Sequence, residues 1–359
     1  MKYFIQEVIN DKGLQKTAGI KARDDIDRIL LAEGYRPVRI EMDQNARNAA
    51  SLPKRLGIHF EIRQKWAAGL KDLSAGDILL VQFPVSSHSV LIAGEVMACQ
   101  RRGVRIILLI HDLDLFRHAL RSDVSLPARI RIRLEEKSLL EKADYIIAHN
   151  IYMKKKLVSF GLDSRKILNL GIFDYLIPGF EDRIGSRKPL GRDLPVIIAG
   201  SMMRHKAGYV YDLPEDQAFN LYGIGYEDEN RPGVVYHGAF PPDDLPFEVE
   251  GSFGLVWDGD TRSTCSGTYG EYLRINNPHK TSMYLASGIP VIIWEEAALA
   301  DFVRRHHCGI TVASLDEIGK TLREMPEEEY RLLVKNAGRM SARLRSGSYT
   351  RRALGIAQK

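Results

Sequence analysis

Short apolar runs and amphipathic stretches alternate along nearly the whole chain. Residues 2–9 (KYFIQEVI), 36–41, 77–83 (DILLVQF), 104–110 (VRIILLI), 143–149 and 166–170 are rich in aliphatic and β-branched side chains over strand-like lengths. Between them, residues 19–33 carry Ile20, Ile26, Ile29 and Leu30 at helical spacing before Gly34, and helical patterns recur around 60–73 and over 90–102, 128–137 and 152–160. A second series starts at 194–200 (LPVIIAG), with strand patterns at 219–223, 234–237, 254–257, 290–294 and 309–312. Its helical patterns cover 278–287, 295–302, 315–325 and 327–345. Apolar strands separated by helices predict parallel sheets buried on both faces, and ligands of such sheets bind beyond the carboxyl ends of the strands. The expected fold class is α/β with two Rossmann-like domains, 1–175 and 195–345, joined by a linker at 176–194 that is rich in Pro, Gly and charge. Residues 346–359 read either as a crossover back to the first domain or as a frayed tail.

Composition supports this division and removes several classes. At 359 residues and 45% hydrophobic, the chain is long for one core and natural for two domains of about 150 to 200 residues. Cys99, Cys265 and Cys308 are far apart, with no CxxC pair or histidine cluster, so neither a disulfide framework nor a zinc site is expected. The opening MKYFIQE has no signal-type apolar core, and no apolar run approaches the roughly 20 residues that span a bilayer. A cytoplasmic location is expected. The formal charge of +5 suits an anionic ligand, but opposite charges are interspersed, which argues against a nucleic-acid partner.

The candidate chemistry centres on residues 276–294. Asn277 is a good N-cap, Pro278 suits the first helical position, Gly288 ends the helix and a β-branched strand follows. Lys280 then falls in the first turn, where the helix dipole disfavours a cation unless an anion is also present. A diphosphate is the anion this predicts; a solvated surface lysine is the plain alternative. Upstream, His111 and Asp112 follow the 104–110 run at the carboxyl edge of a sheet, where a catalytic pair and an ordinary Asp cap both occur. The turn at 10–19 sets two glycines, two lysines and a hydroxyl between a strand and a helix, without a GxGxxG or Walker pattern. Arginines at 129, 131 and 133 offer a peripheral contact with anionic lipid at the inner face of a membrane, against the reading of a solvated helix.

The segment 270–294, GEYLRINNPHKTSMYLASGIPVIIW, resembles the C-terminal sugar-nucleotide site of a bacterial GT-B glycosyltransferase family. That family contains glucosyltransferase 3 of streptococcal adhesin glycosylation and β-1,6-galactofuranosyltransferases, and the likeness extends in scattered blocks over most of the chain. It implies the GT-B fold, two Rossmann-like domains facing each other across a cleft. It also implies transfer of one hexose, glucose or galactofuranose, from a UDP-sugar to a hydroxyl of a glycan acceptor on a glycoprotein, a lipid carrier or a cell-surface polysaccharide. The resemblance places Thr17, Arg204 and Tyr236 with Asn277 and Lys280 as donor-binding residues, Arg204 as a forked donor to the diphosphate and Tyr236 beside the nucleobase. If transfer inverts the anomeric centre, His111 or Asp112 is the candidate base. A homo-oligomer stays open.

Two triplets, Asp112-Leu113-Asp114 and Asp258-Gly259-Asp260, support a competing metal-dependent GT-A reading, in which an aspartate pair holds a divalent ion on the diphosphate. A nucleotide-sugar-binding protein or an epimerase without transfer is the other alternative. The expected site uses Arg204 and Lys280 and needs no metal or other cofactor. Activity is accordingly expected to survive EDTA, and complete loss restored by manganese would favour the aspartate-pair reading.

Overall fold

The computed structural model describes residues 1–9, 18–42, 52–85, 91–113, 116, 136–228 and 231–358. The chain divides into two units, one made of Met1–Gln15, Ile26–Leu170 and Arg351–Lys359, the other of Lys16–Asp25 and Gly171–Thr350. Each contains one six-stranded parallel sheet, as the alternating pattern predicts.

In the first unit the strands are β1 (Lys2–Ile9), β2 (Arg36–Met42), β3 (Ile78–Phe83), β4 (Arg105–Ile110), β5 (Tyr145–Ala148) and β6 (Ile167–Asn169). Their order is β2-β1-β3-β4-β5-β6. All but the first residue of β3 and of β4 are buried, which explains their unbroken apolar sequences. Phe83 pairs with Ile110, and the N–H of His111 donates to Phe83 O at 2.7 Å, so the register fixes where the chain leaves the sheet.

In the second unit they are β7 (Val196–Ser201), β8 (Phe219–Ile224), β9 (Val234–Tyr236), β10 (Gly254–Val256), β11 (Val291–Trp294) and β12 (Gly309–Val312), in the order β12-β11-β10-β7-β8-β9. The chain winds outward from β7 in one direction, then restarts at β10 and winds in the other. The reversal between β7 and β10 is the topological switch point of a Rossmann sheet, where ligands bind. Those two strands are joined by a single pairing, Gly254 with Ile197. Beyond it the Tyr284 hydroxyl takes over, accepting from the N–H of Ala199 at 2.7 Å and donating to Ile197 O at 3.3 Å. Tyr284 belongs to the helix His279–Ala286, which approaches so closely that a Cβ on Gly254 would lie 2.1 Å from the ring.

Further helices complete this layer. Glu327–Arg345 has three glutamates in its first turn and two arginines in its last, matching the helix dipole, and the Ser341 hydroxyl donates to Ala286 O. The Asp174 carboxylate accepts from the N–H groups of Tyr349 and Thr350, at 3.1 and 2.7 Å, in the first turn of Ser348–Ala357.

Several expected elements are redrawn. The helix around 60–73 runs instead from Leu52 to Leu70. The pattern at 295–302 becomes a turn, because Ala298 N–H leaves to bond Leu273 O, and the helix forms only at Ala300–His306. The exit segment 201–208 contains a short helix, Arg204–Ala207. The helix over 315–325 begins as a 3-10 turn, Leu315–Glu317, capped by the Ser314 hydroxyl. The arginine-rich pattern lies almost wholly outside the described residues. Among the described residues no helix is long and apolar enough to cross a membrane.

Replacing Tyr284 by Phe should leave the Ala199 N–H buried without an acceptor, lowering stability by about 1 to 3 kcal/mol. Chemical denaturation measures this, and an unchanged midpoint would mean that another acceptor serves Ala199.

Candidate functional site

The helix His279–Ala286 places Lys280 in its first turn, but its start differs from expectation. Pro278, with an extended ψ of 132°, occupies the N-cap position and offers no side-chain cap. Asn277 is buried, and its Nδ2 donates to Gly171 O at 3.1 Å. An N-cap asparagine would turn its oxygen towards the helix N–H groups; here the pyrrolidine of Pro278 already sets the entry, and Asn277 ties the turn before the helix to residue 171. Gly288, at φ 70°, closes the other end in the left-handed conformation.

Lys280 is not a solvent-facing lysine. Its Nζ donates to Trp257 O and to Asp258 Oδ1, both at 2.9 Å, and the two charged side chains are 16% and 10% exposed. Trp257 and Asp258 directly follow β10, so Lys280 reaches the carboxyl edge of the sheet at the switch point. The anion that a first-turn lysine requires is therefore present within the chain as the Asp258 carboxylate. An ammonium group has three N–H donors, and these contacts use two. At the same helix start His279 stacks on Phe173, with ring centroids 4.5 Å apart. Burial first, and the Lys21 charge second, push His279 down to about 4, so the imidazole is neutral where a second cation would oppose the helix dipole.

Arg204 begins the short helix after β7. The loops after β7 and β10 are stitched together, since Gly259 N–H donates to Lys206 O at 3.0 Å and Tyr209 N–H to Gly259 O at 3.3 Å. Gly259 has φ 111°, and a Cβ there would lie 2.2 Å from Ser266 O, so only glycine fits. The tertiary fold thus brings the loop of Arg204 to the loop of Asp258. The Arg204 guanidinium lies 3.8 Å from the centroid of Tyr211, with a loose 3.4 Å contact to Glu227, and its side chain is 63% exposed. Tyr211 stacks on Tyr226 at 5.5 Å, and Tyr226 meets Tyr236 at 5.3 Å. The Tyr236 hydroxyl donates to Gly223 O at 2.7 Å, fixing an otherwise exposed ring. Arg204 and Tyr236 therefore stand at two ends of an aromatic row along the carboxyl edge of β7, β8 and β9.

In the first unit, His111 Nε2 lies 2.6 Å from Gln82 Oε1, and Asp112 Oδ1 accepts from Leu113 N–H at 2.9 Å. The aspartate thus acts as a local turn acceptor. Thr17 and Asp114 lie outside the described residues. Sequence reasoning missed Tyr211, Tyr226, His279 and Gln82, and it read Asp258 only as part of a metal motif. No spacing rule links Asp258 to a lysine 22 positions later; their meeting depends on helix packing across the switch point. Among the described residues no cluster of three or more His, Cys, Asp or Glu side chains is arranged to hold a metal ion.

Family comparison agrees with the two-sheet architecture. Residues 2–172 match the family model described as glucosyltransferase 3-like, N-terminal domain, and residues 196–357 match the corresponding C-terminal domain. The chain is 33% identical to β-1,6-galactofuranosyltransferase WbbI of Escherichia coli K12 over 95% of its length and 94% of the relative's. It is 27% identical to glucosyltransferase 3 of Streptococcus parasanguinis over 96% and 95%. Among solved structures it resembles Anabaena HepE in complex with UDP and glucose, at 11% identity, a TM-score of 0.56 and 99% coverage of both chains. The chain belongs to the glucosyltransferase 3-like family, and it is a glycosyltransferase of GT-B fold. The GT-A alternative fails on the two separate Rossmann sheets.

Replacing Lys280 by Met should strand the buried Asp258 carboxylate and lower stability by about 3 kcal/mol. The Lys280→Met/Asp258→Asn double variant should recover most of that loss in denaturant titrations. Equal loss in single and double variants would mean that the pair does not carry the interaction.

Proposed function

We propose that this member of the glucosyltransferase 3-like family transfers a hexose, glucose or galactofuranose, from a UDP-sugar to a hydroxyl of a glycan acceptor. The observation that carries the donor assignment is Lys280 at the β7–β10 switch point, with one ammonium N–H beyond the two engaged by Trp257 and Asp258. The names of the two relatives supply the choice of sugar, and the UDP complex of a protein of similar fold supplies the nucleotide.

In this reading the third N–H of Lys280 contacts a phosphate oxygen. Arg204, stacked on Tyr211 but otherwise exposed, offers the diphosphate a planar fork. Tyr236 and Tyr226 provide apolar faces for the uracil, while Asn277 holds the start of the Lys280 helix and Thr17 contributes a hydroxyl. When the bond from the anomeric carbon to the diphosphate oxygen breaks, negative charge accumulates on the leaving group, and the two cations stabilise it more than they stabilise the bound ground state. The acceptor oxygen forms the new bond to that carbon. In an inverting transfer its proton passes to His111, which we prefer to Asp112 because Asp112 already accepts a backbone N–H.

A panel of nucleotide sugars tested by thermal shift should give its largest stabilisation with UDP-glucose or a UDP-galactose isomer, by RT ln(1 + [L]/Kd). Arg204→Lys should weaken that shift and lower kcat/KM by on the order of tenfold, since a point charge does not reproduce a fork. Equal shifts from every nucleotide, or wild-type kinetics in Arg204→Lys, would remove the donor assignment.

A further inference from the structure

A line of side-chain hydrogen bonds runs through the first unit to His111. Continuing the register that sets Phe4 beside Leu80 brings Gln6 of β1 next to Gln82 of β3 on the same face of the sheet. Asp27, on the helix Ala18–Ala32, lies over both. Its Oδ2 accepts from Gln6 Nε2 at 3.0 Å, and its Oδ1 accepts from Gln82 Nε2 at 2.6 Å. Gln82, which is buried, then places Oε1 2.6 Å from Nε2 of His111, just beyond β4.

The direction of every bond follows from the carboxylate. An ionised aspartate only accepts, so both glutamines turn their NH2 groups toward Asp27. Gln82 is left with its carbonyl oxygen toward the imidazole, and that oxygen also only accepts. Nε2 of His111 must therefore carry the proton, which leaves the lone pair of the neutral ring on Nδ1. We infer that Gln82, held by Asp27 and Gln6, is a positioning residue that fixes the ring and tautomer of His111 and makes Nδ1 its acceptor atom. The inference deepens the proposed function and rests on His111 serving the acceptor hydroxyl. An aspartate bonded directly to Nε2–H would favour the imidazolium. An interposed neutral amide orients the ring without adding a formal charge at that nitrogen, and leaves Nδ1 able to take a proton.

The test is long-range proton–nitrogen correlation spectroscopy on the full chain with nitrogen-15-labelled histidine, at about pH 8, where an ordinary imidazole is neutral. His111 is assigned with the His111→Gln variant. A pyrrole-type Nε2 bearing a slowly exchanging proton, with a pyridine-type Nδ1, is expected; a pyridine-type Nε2 in the wild-type protein overturns the inference whatever the activity. Gln82→Met should abolish the slow exchange and lower kcat by on the order of tenfold or more, with unchanged thermal stabilisation by UDP. Wild-type exchange and kcat in Gln82→Met also overturn the inference. Full activity in His111→Gln would instead refute the role of His111 in transfer, and the Nε2 measurement would still decide the hydrogen-bond line.

Discussion

The second sheet depends on how β7 and β10 part. A continuous ladder between them would satisfy the backbone groups of β7 but would leave no gap at the switch point. With only Gly254 and Ile197 paired, the N–H of Ala199 needs another acceptor, and the Tyr284 hydroxyl provides it. This demands a glycine at 254, because the tyrosine ring occupies the space of a Cβ. The same contact fixes the height and rotation of the helix His279–Ala286. Lys280 lies one helical turn from Tyr284 and reaches the end of β10 because of that anchorage.

Electrostatics at this helix start is settled mainly inside the chain. The N-terminal end of a helix opposes a cation, yet Lys280 is there and largely shielded from water. Asp258 balances it, and His279, kept neutral by burial, adds no second charge. An incoming diphosphate would therefore meet a lysine already oriented by two contacts, with less side-chain entropy left to lose than a mobile surface lysine would have. Arg204 is arranged differently: stacking on Tyr211 restrains its plane, but its donors remain largely exposed.

The two units carry different kinds of polar order. In the second, the network is ionic and gathers at the edge between two diverging strands. In the first, neutral amides connect one carboxylate to His111 across β1, β3 and β4, and the interiors of β3 and β4 are otherwise apolar. A buried glutamine in such a strand carries a desolvation cost, which its two well-formed hydrogen bonds offset.

Much of the architecture was legible in the sequence because parallel strands buried on both faces must be apolar and their connecting helices amphipathic. That constraint marked both sheets, the long helix at 327–345, the strand end that leads to His111 and the helix start that carries Lys280. Family likeness visible in residues 270–294 added the chemistry that periodicity alone cannot supply. Local pattern failed where a tertiary contact competes with it. Ala298 gives its N–H to Leu273 and shortens a helix, while Asn277 spends its side chain on residue 171 rather than on a cap. The partner of Lys280, the aromatic row from Tyr211 to Tyr236 and the Asp27–Gln82–His111 line were hidden for the same reason. Each joins residues from separate strands or helices, whose meeting is set by sheet order and helix packing rather than by any spacing along the chain.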